Sequence, residues 1–235
     1  MDNMREYKLT RSKRKTIAIR VNEDSSLEVK APLYLSREKI NNFVNSKEKW
    51  IAKNTKEISE KYQLKKEFNV NFNDYIILRG KKAYIRPIKG NNASYDEEKG
   101  IFYIPEIATT DQIKELIIEF YKLISKSYIP SRIRYFSKKM NVTPTAIRIT
   151  SAKTRWGSCS GKNSVNFSWK LIMADDKTID YVIIHELAHI KQHNHSNKFW
   201  NIVESMMPDY KEQKEELKIL GEKLSKENWE LNKKK

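Results

Sequence analysis

The chain has 235 residues and carries 46 Lys and Arg against 30 Asp and Glu, a formal charge of +16. Apolar residues make up 39% and aromatic residues 11%, enough to bury a core and to exclude a disordered tail or linker. The first thirty residues hold no apolar run of secretory type, aliphatic runs such as Val182-Ile183-Ile184 are too short to span a bilayer, and the single cysteine, Cys159, excludes an internal disulfide, so the expectation is a cytoplasmic protein with no membrane segment.

Elements follow in chain order. Thr16 to Val21 and Leu27 to Ala31 alternate apolar and polar residues around the turn NEDSS and predict a hairpin. Ser36 is placed to cap a helix whose apolar face runs through Ile40, Phe43, Val44, Trp50, Ile51 and Ile58, with the stem of Lys47 covering the gap. Residues 68 to 104 predict three or four short strands punctuated by Gly80, Pro87, Gly90 and Gly100. Thr109 and Gln112 form a capping box for a helix with Ile113, Leu116, Ile117, Phe120, Ile124 and Tyr128 on one face, which stops or kinks at Pro130. A further helical stretch reaches about Met140. Strands are predicted at Ala146 to Thr150 and at VNFSWKLIM, on either side of the loop TRWGSCSGKN. A helix follows from Ile179 to about His193, and Ser196 starts another through Met206. The pattern changes near residue 109, so the expected organisation is α+β: an N-terminal, β-rich module with a helix over 1–108, and a second domain over 109–235.

Charge is unevenly spread. No Asp or Glu occurs from Phe120 to Ala174, while eleven Lys and Arg fall inside that block. A basic block of this kind is a candidate surface for nucleic acid or a nucleotide.

All four histidines lie in HELAHIKQHNH, residues 185–195. In His185-Glu186-Leu187-Ala188-His189 the two histidines, four residues apart, stack on one helical face about 6 Å apart along the axis, so both imidazoles can reach one tetrahedral zinc ion. Glu186 lies about 100° round the helix, where a general base for a zinc-bound water belongs. His193 is about 12 Å along the axis from His185 and cannot converge with it on a straight helix. Asn194 tolerates the left-handed conformation that ends a helix, and His195 follows it, so His195 is the third candidate ligand. The spacing matches the extended zincin pattern H-E-x-x-H-x-x-G-x-x-H in register, although Gln192 stands where metzincins have glycine.

TRWGSCS (154–160), NFSWKLI (166–172) and IDYVIIHELAHIKQHNHSNKFW (179–200) together resemble the YgjP-like metallopeptidase family, relatives of the SprT-like and WLM zincins. The resemblance covers most of the chain, most specifically residues 147 to 211. It implies that the second domain is a small zincin-like metallohydrolase, that His185, His189 and His195 hold one Zn²⁺ per chain, and that Glu186 is catalytic. Asp175 and Asp176 stand where the family usually has a proline, which leaves the local turn open. In the RWGSC segment Arg155 is a candidate contact for substrate or an anion. Trp156 and Cys159 read as core, and Gly157 as a residue permitting a tight turn.

The leading expectation is a zinc-dependent hydrolase, a metallopeptidase acting on a peptide or protein. Two alternatives stand beside it. One keeps the metal and changes the substrate to a nucleotide, or to protein bound on nucleic acid; the other is a binding module whose zinc is structural and closed by a fourth ligand such as Cys159.

Overall fold

The computed structural model describes residues 6–231 as an α+β protein. Its internal contacts define two compact units. One holds residues up to 68 together with 224–228, and the other holds 69–223 and the segment from 229. The division falls at 68/69 rather than near 108, because the strands of residues 75–105 pack with the helices that follow them.

In the first unit, strands β2 (Ala18–Val21) and β3 (Leu27–Pro32) form the expected antiparallel hairpin. The sequence did not announce β1 (Lys8–Ser12), which pairs with β3 in parallel and gives the order β1-β3-β2. Helix α1 (Arg37–Ser46) begins at Ser36, whose side chain accepts from the Lys39 N–H. Lys47 separates α1 from α2 (Glu48–Glu67), so the single apolar face is shared by two helices. Val21, Leu27, Val29, Ala31, Ile40, Val44 and Ile51 make this unit's core, while Trp50 lies half exposed.

The second unit opens with a four-stranded sheet of β4 (Tyr75–Leu78), β5 (Lys81–Ile88), β6 (Ser94–Asp96) and β7 (Ile101–Pro105), in the order β4-β5-β7-β6. Helix α3 (Thr110–Met140) starts at the Thr109–Gln112 capping box and ends at Asn141 in the left-handed conformation. It does not stop at Pro130 but runs on for ten residues. Ser125, Ile129, Ile133 and Phe136 are buried on both sides of the proline, and tertiary burial of several kcal/mol outweighs the roughly 3 kcal/mol that a proline costs a helix.

A second sheet joins β8 (Ala146–Thr150), β9 (Gly157–Cys159) and β10 (Ser164–Ser168) in the order β8-β10-β9, so β9 is an edge strand. The expected strand VNFSWKLIM divides: β10 ends at Ser168, whose side chain caps a 3₁₀ helix at Trp169–Met173. Helices α4 (Asp176–Lys191), α5 (Asn197–Met206) and α6 (Tyr210–Leu224) complete the unit. No helix among the described residues is long and apolar enough to cross a membrane.

Helix α4 is buried along most of its length, with Ile179, Ile183, Ile184, Leu187 and Ala188 fully enclosed. Its N-terminus is fastened by charge. Asp175 is the N-cap, accepting from the Thr178 N–H at 2.9 Å, which is the role taken by the acids that stand in place of the family's proline. Arg79, at the β4–β5 turn, makes a bidentate pair with Asp176 at 2.6 and 2.7 Å, and the Tyr128 hydroxyl donates to the same carboxylate. Arg132 of α3 grips Asp180 through two nitrogens. The turn itself is tied down where the Arg79 N–H donates to Ile172 O at 2.8 Å and the Gly80 N–H to Met173 O at 3.3 Å. Gly80 has φ +74°, and a Cβ there would meet Asp175 Cβ at 2.8 Å, so both the turn and the close approach require glycine.

Candidate metal centre

His185 and His189 occupy the last two turns of α4, and His195 lies beyond its end. The side-chain donor atoms of the three residues all fall within 4.8 Å of one another. His195 Nε2 and His185 Nε2 are 3.1 Å apart. Two nitrogens bound at about 2.0–2.1 Å to one tetrahedral zinc would lie about 3.3 Å apart, so three imidazoles at this spacing fit such an ion. His193 is exposed and outside the cluster.

The turn that delivers His195 differs from the expected one. Asn194 does not adopt a left-handed conformation. Instead the helix ends at Gln192, which is extended at φ −145° and ψ 100°. Asn194 Oδ1 then accepts from Gln192 Nε2 at 2.8 Å and from the Ser196 N–H at 3.2 Å, holding the loop by side-chain bonds. An extended residue tolerates any side chain, which explains why glutamine serves where the metzincin pattern has glycine. The Gln192 carbonyl also lies 3.2 Å from His189 Nδ1. With the Nδ1 proton donated there, Nε2 keeps its lone pair for a metal.

Helix α5 supplies the backing. Phe199 is fully buried, with its ring centroid 4.9 Å from that of His185, 4.5 Å from His189 and 4.8 Å from His195. Trp200 stacks on His195 at 5.8 Å and on Tyr210 at 5.3 Å, and the Lys214 ammonium lies over Trp200. These rings fix three imidazoles on two segments into one arrangement.

Burial sets the charge states. His185 is pushed down to about 3 by desolvation, with further lowering from His189, His195 and Lys214, and burial lowers His189 as well. Both are neutral at physiological pH, as metal ligands must be. Glu186 is buried and its carboxyl is pushed up to about 7 by desolvation, against the opposing influence of Arg155 and of a hydrogen bond from the Cys159 N–H. A carboxyl poised near neutrality can both take and return a proton.

Arg155 is exposed, on the segment leading into β9, and its charge reaches Glu186. Cys159 is half-buried in β9 and does not belong to the histidine cluster, so a closed site with cysteine as fourth ligand is not what the side chains form. Gly157 is not in a turn. It lies in β9 with its Cα against the Glu186 side chain, a contact no local signal announced. The basic block is not acid-free in space: Arg132 pairs with Asp180, and Lys153 with Glu230 at 2.7 Å.

Three convergent imidazoles on and just after one helix of an α+β fold form a candidate metal centre. The chain is matched over residues 15–219 by the YgjP-like metallopeptidase domain. It belongs to the YgjP-like metallopeptidase family. No curated protein matches it. Among solved structures it is similar to the metallopeptidase zymogen abylysin of Pyrococcus abyssi, with 23% identity and a TM-score of 0.37 over 42% of this chain and 97% of that one. It is also similar to the zymogen jannalysin of Methanocaldococcus jannaschii, with 26% identity and a TM-score of 0.35 over 40% and 95%.

Proposed function

We propose that the protein is a cytoplasmic zinc peptidase that binds one Zn²⁺ through His185, His189 and His195 and uses Glu186 as its general base. The observation that carries this reading is the meeting of three histidine donors within 4.8 Å next to a buried carboxyl pushed up to about 7. A zinc ion held by these three imidazoles would supply Lewis acidity toward a peptide carbonyl and toward water. Glu186 takes a proton from the attacking water and returns it to the leaving amine, which a carboxyl far below neutrality would do poorly. Arg155, exposed and with its charge reaching Glu186, would meet a carboxylate or carbonyl of the substrate.

The test is elemental analysis of the purified protein, then a screen of peptides and nucleoside triphosphates with parent and Glu186→Gln. About one equivalent of zinc and peptide cleavage lost in the Gln variant support the reading. Cleavage of a triphosphate alone would replace the substrate class while keeping the metal; a metal-free protein would overturn both.

A further inference from the structure

We propose that Gly157 is a positioning residue, whose missing side chain makes the seat in which the Glu186 carboxylate is held; this rests on the reading of Glu186 as the base. A Cβ built on Gly157 would lie 2.6 Å from Glu186 Cγ, 2.7 Å from Oε1 and 2.9 Å from Cδ. Real Cβ atoms do not approach so closely, so something must move if a methyl group is added. The backbone φ at Gly157 is not in the left-handed region, so glycine is not needed there for the conformation of the chain.

The geometry also says what moves. Strand β9 is pinned on both sides of Gly157. The Ser168 N–H donates to Trp156 O at 2.8 Å, the Ser160 N–H donates to Ser164 O at 2.9 Å, and Gly157 pairs with the fully buried Phe167. Helix α4 is pinned by Ile183, Ile184 and Leu187, which are fully buried. The end of the Glu186 side chain is the softest partner in the contact. A β-carbon at 157 therefore displaces the carboxylate from its place beside the Cys159 backbone. The carboxylate stays on the same helix and remains titratable, but it is aimed elsewhere, and a general base that is displaced by an ångström loses much of its rate.

Cysteine occurs once in the chain, so labelling with ¹⁵N-cysteine yields a single amide signal, that of Cys159. The experiment compares the zinc-loaded parent with Gly157→Ala and with Gly161→Ala, a glycine two positions past β9 where a Cβ would meet nothing within 4 Å. In Gly157→Ala the Cys159 amide, which lies beside the carboxylate, should shift. Zinc content should not change. On a quenched-fluorescence peptide cleaved by the parent, kcat should fall about 10- to 100-fold at unchanged KM. Gly161→Ala should match the parent throughout. A parent that cleaves no peptide defeats the peptidase reading, and the Cys159 signal still decides this one. If Gly157→Ala fails to fold, the same change is made in Glu186→Ala, which removes the atoms in conflict and should restore folding. A Cys159 amide unchanged in Gly157→Ala, a raised KM at constant kcat, or misfolding in the Glu186→Ala background as well would each overturn the proposal.

Discussion

Phe199→Leu should separate the role of Phe199 in the core from its role behind the histidines. Leucine keeps an apolar side chain in a fully buried site, so metal-free protein should lose only the difference in shape and the ring contacts, about 1.5 kcal/mol. The three imidazoles, whose ring centroids lie 4.5 to 4.9 Å from that of Phe199, would gain freedom to spread. Loss of a group that orients metal ligands lowers affinity about 10- to 100-fold. By linkage that removes about 1.4 to 2.7 kcal/mol of the stabilisation conferred by zinc at a free concentration well above both dissociation constants. The zinc-loaded variant should therefore be less stable than the zinc-loaded parent by about 3 to 4 kcal/mol, roughly two to three times the metal-free difference. Urea unfolding with and without buffered zinc measures both quantities, and chelator competition measures the affinity directly. Equal losses in the two states would refute the reasoning and leave Phe199 as core alone.

His195→Ala should weaken zinc binding at least about 100-fold and His193→Ala hardly at all, since only the former is in the cluster; the reverse order in a chelator competition would refute the ligand assignment. Glu186→Gln should keep the fold and the metal while slowing turnover by about 10² to 10⁴, and an active Gln variant would remove Glu186 from the chemistry. In metal-free protein the Glu186 carboxyl is pushed up to about 7 from its ordinary 4.5, so the folded state favours its protonated form. Its contribution to stability is complete below about pH 4.5 and is lost as pH rises through about 7. Melting temperatures of parent and Glu186→Gln should diverge over that window, the parent falling further, and parallel curves would count against the burial argument. Arg132→Ala leaves Asp180 mostly buried, with 13% of its side chain exposed, and without its bidentate partner. With the partial exposure of Arg132 discounted, the cost should be about 2 kcal/mol by urea unfolding.

What could be read from the sequence was local. The Thr109–Gln112 box and the Ser36 cap each depend on residues three apart, and each takes the expected form, while residues 185–189 fall on one helix. What escaped involved partners far along the chain. Pro130 is carried inside α3 by burial against elements some forty residues later, as the bond from Ser125 Oγ to Trp169 O illustrates. Gly157 read as a turn because its true neighbour, Glu186, is 29 positions away. The parallel pairs β1–β3, β5–β7 and β8–β10 likewise leave no signature in adjacent residues. His195 lies near His185 and His189 because the chain turns after α4, and that turn is made at Gln192 by an extended residue rather than at Asn194.

The Arg79 turn bears on how small a working piece of this protein can be. A fragment beginning at residue 109 would encode every histidine, the carboxyl between them and the strand that seats it. It would also begin α4 with Asp176 stripped of its guanidinium, Tyr121 with no Ile77 carbonyl to receive its hydroxyl, and Ile172 and Met173 with their carbonyls uncovered. The metal motif is short enough to copy into another gene, but the helix that displays it is anchored by residues nearly a hundred positions upstream. Moving the chemistry to a new scaffold therefore means moving the β4–β5 turn with it.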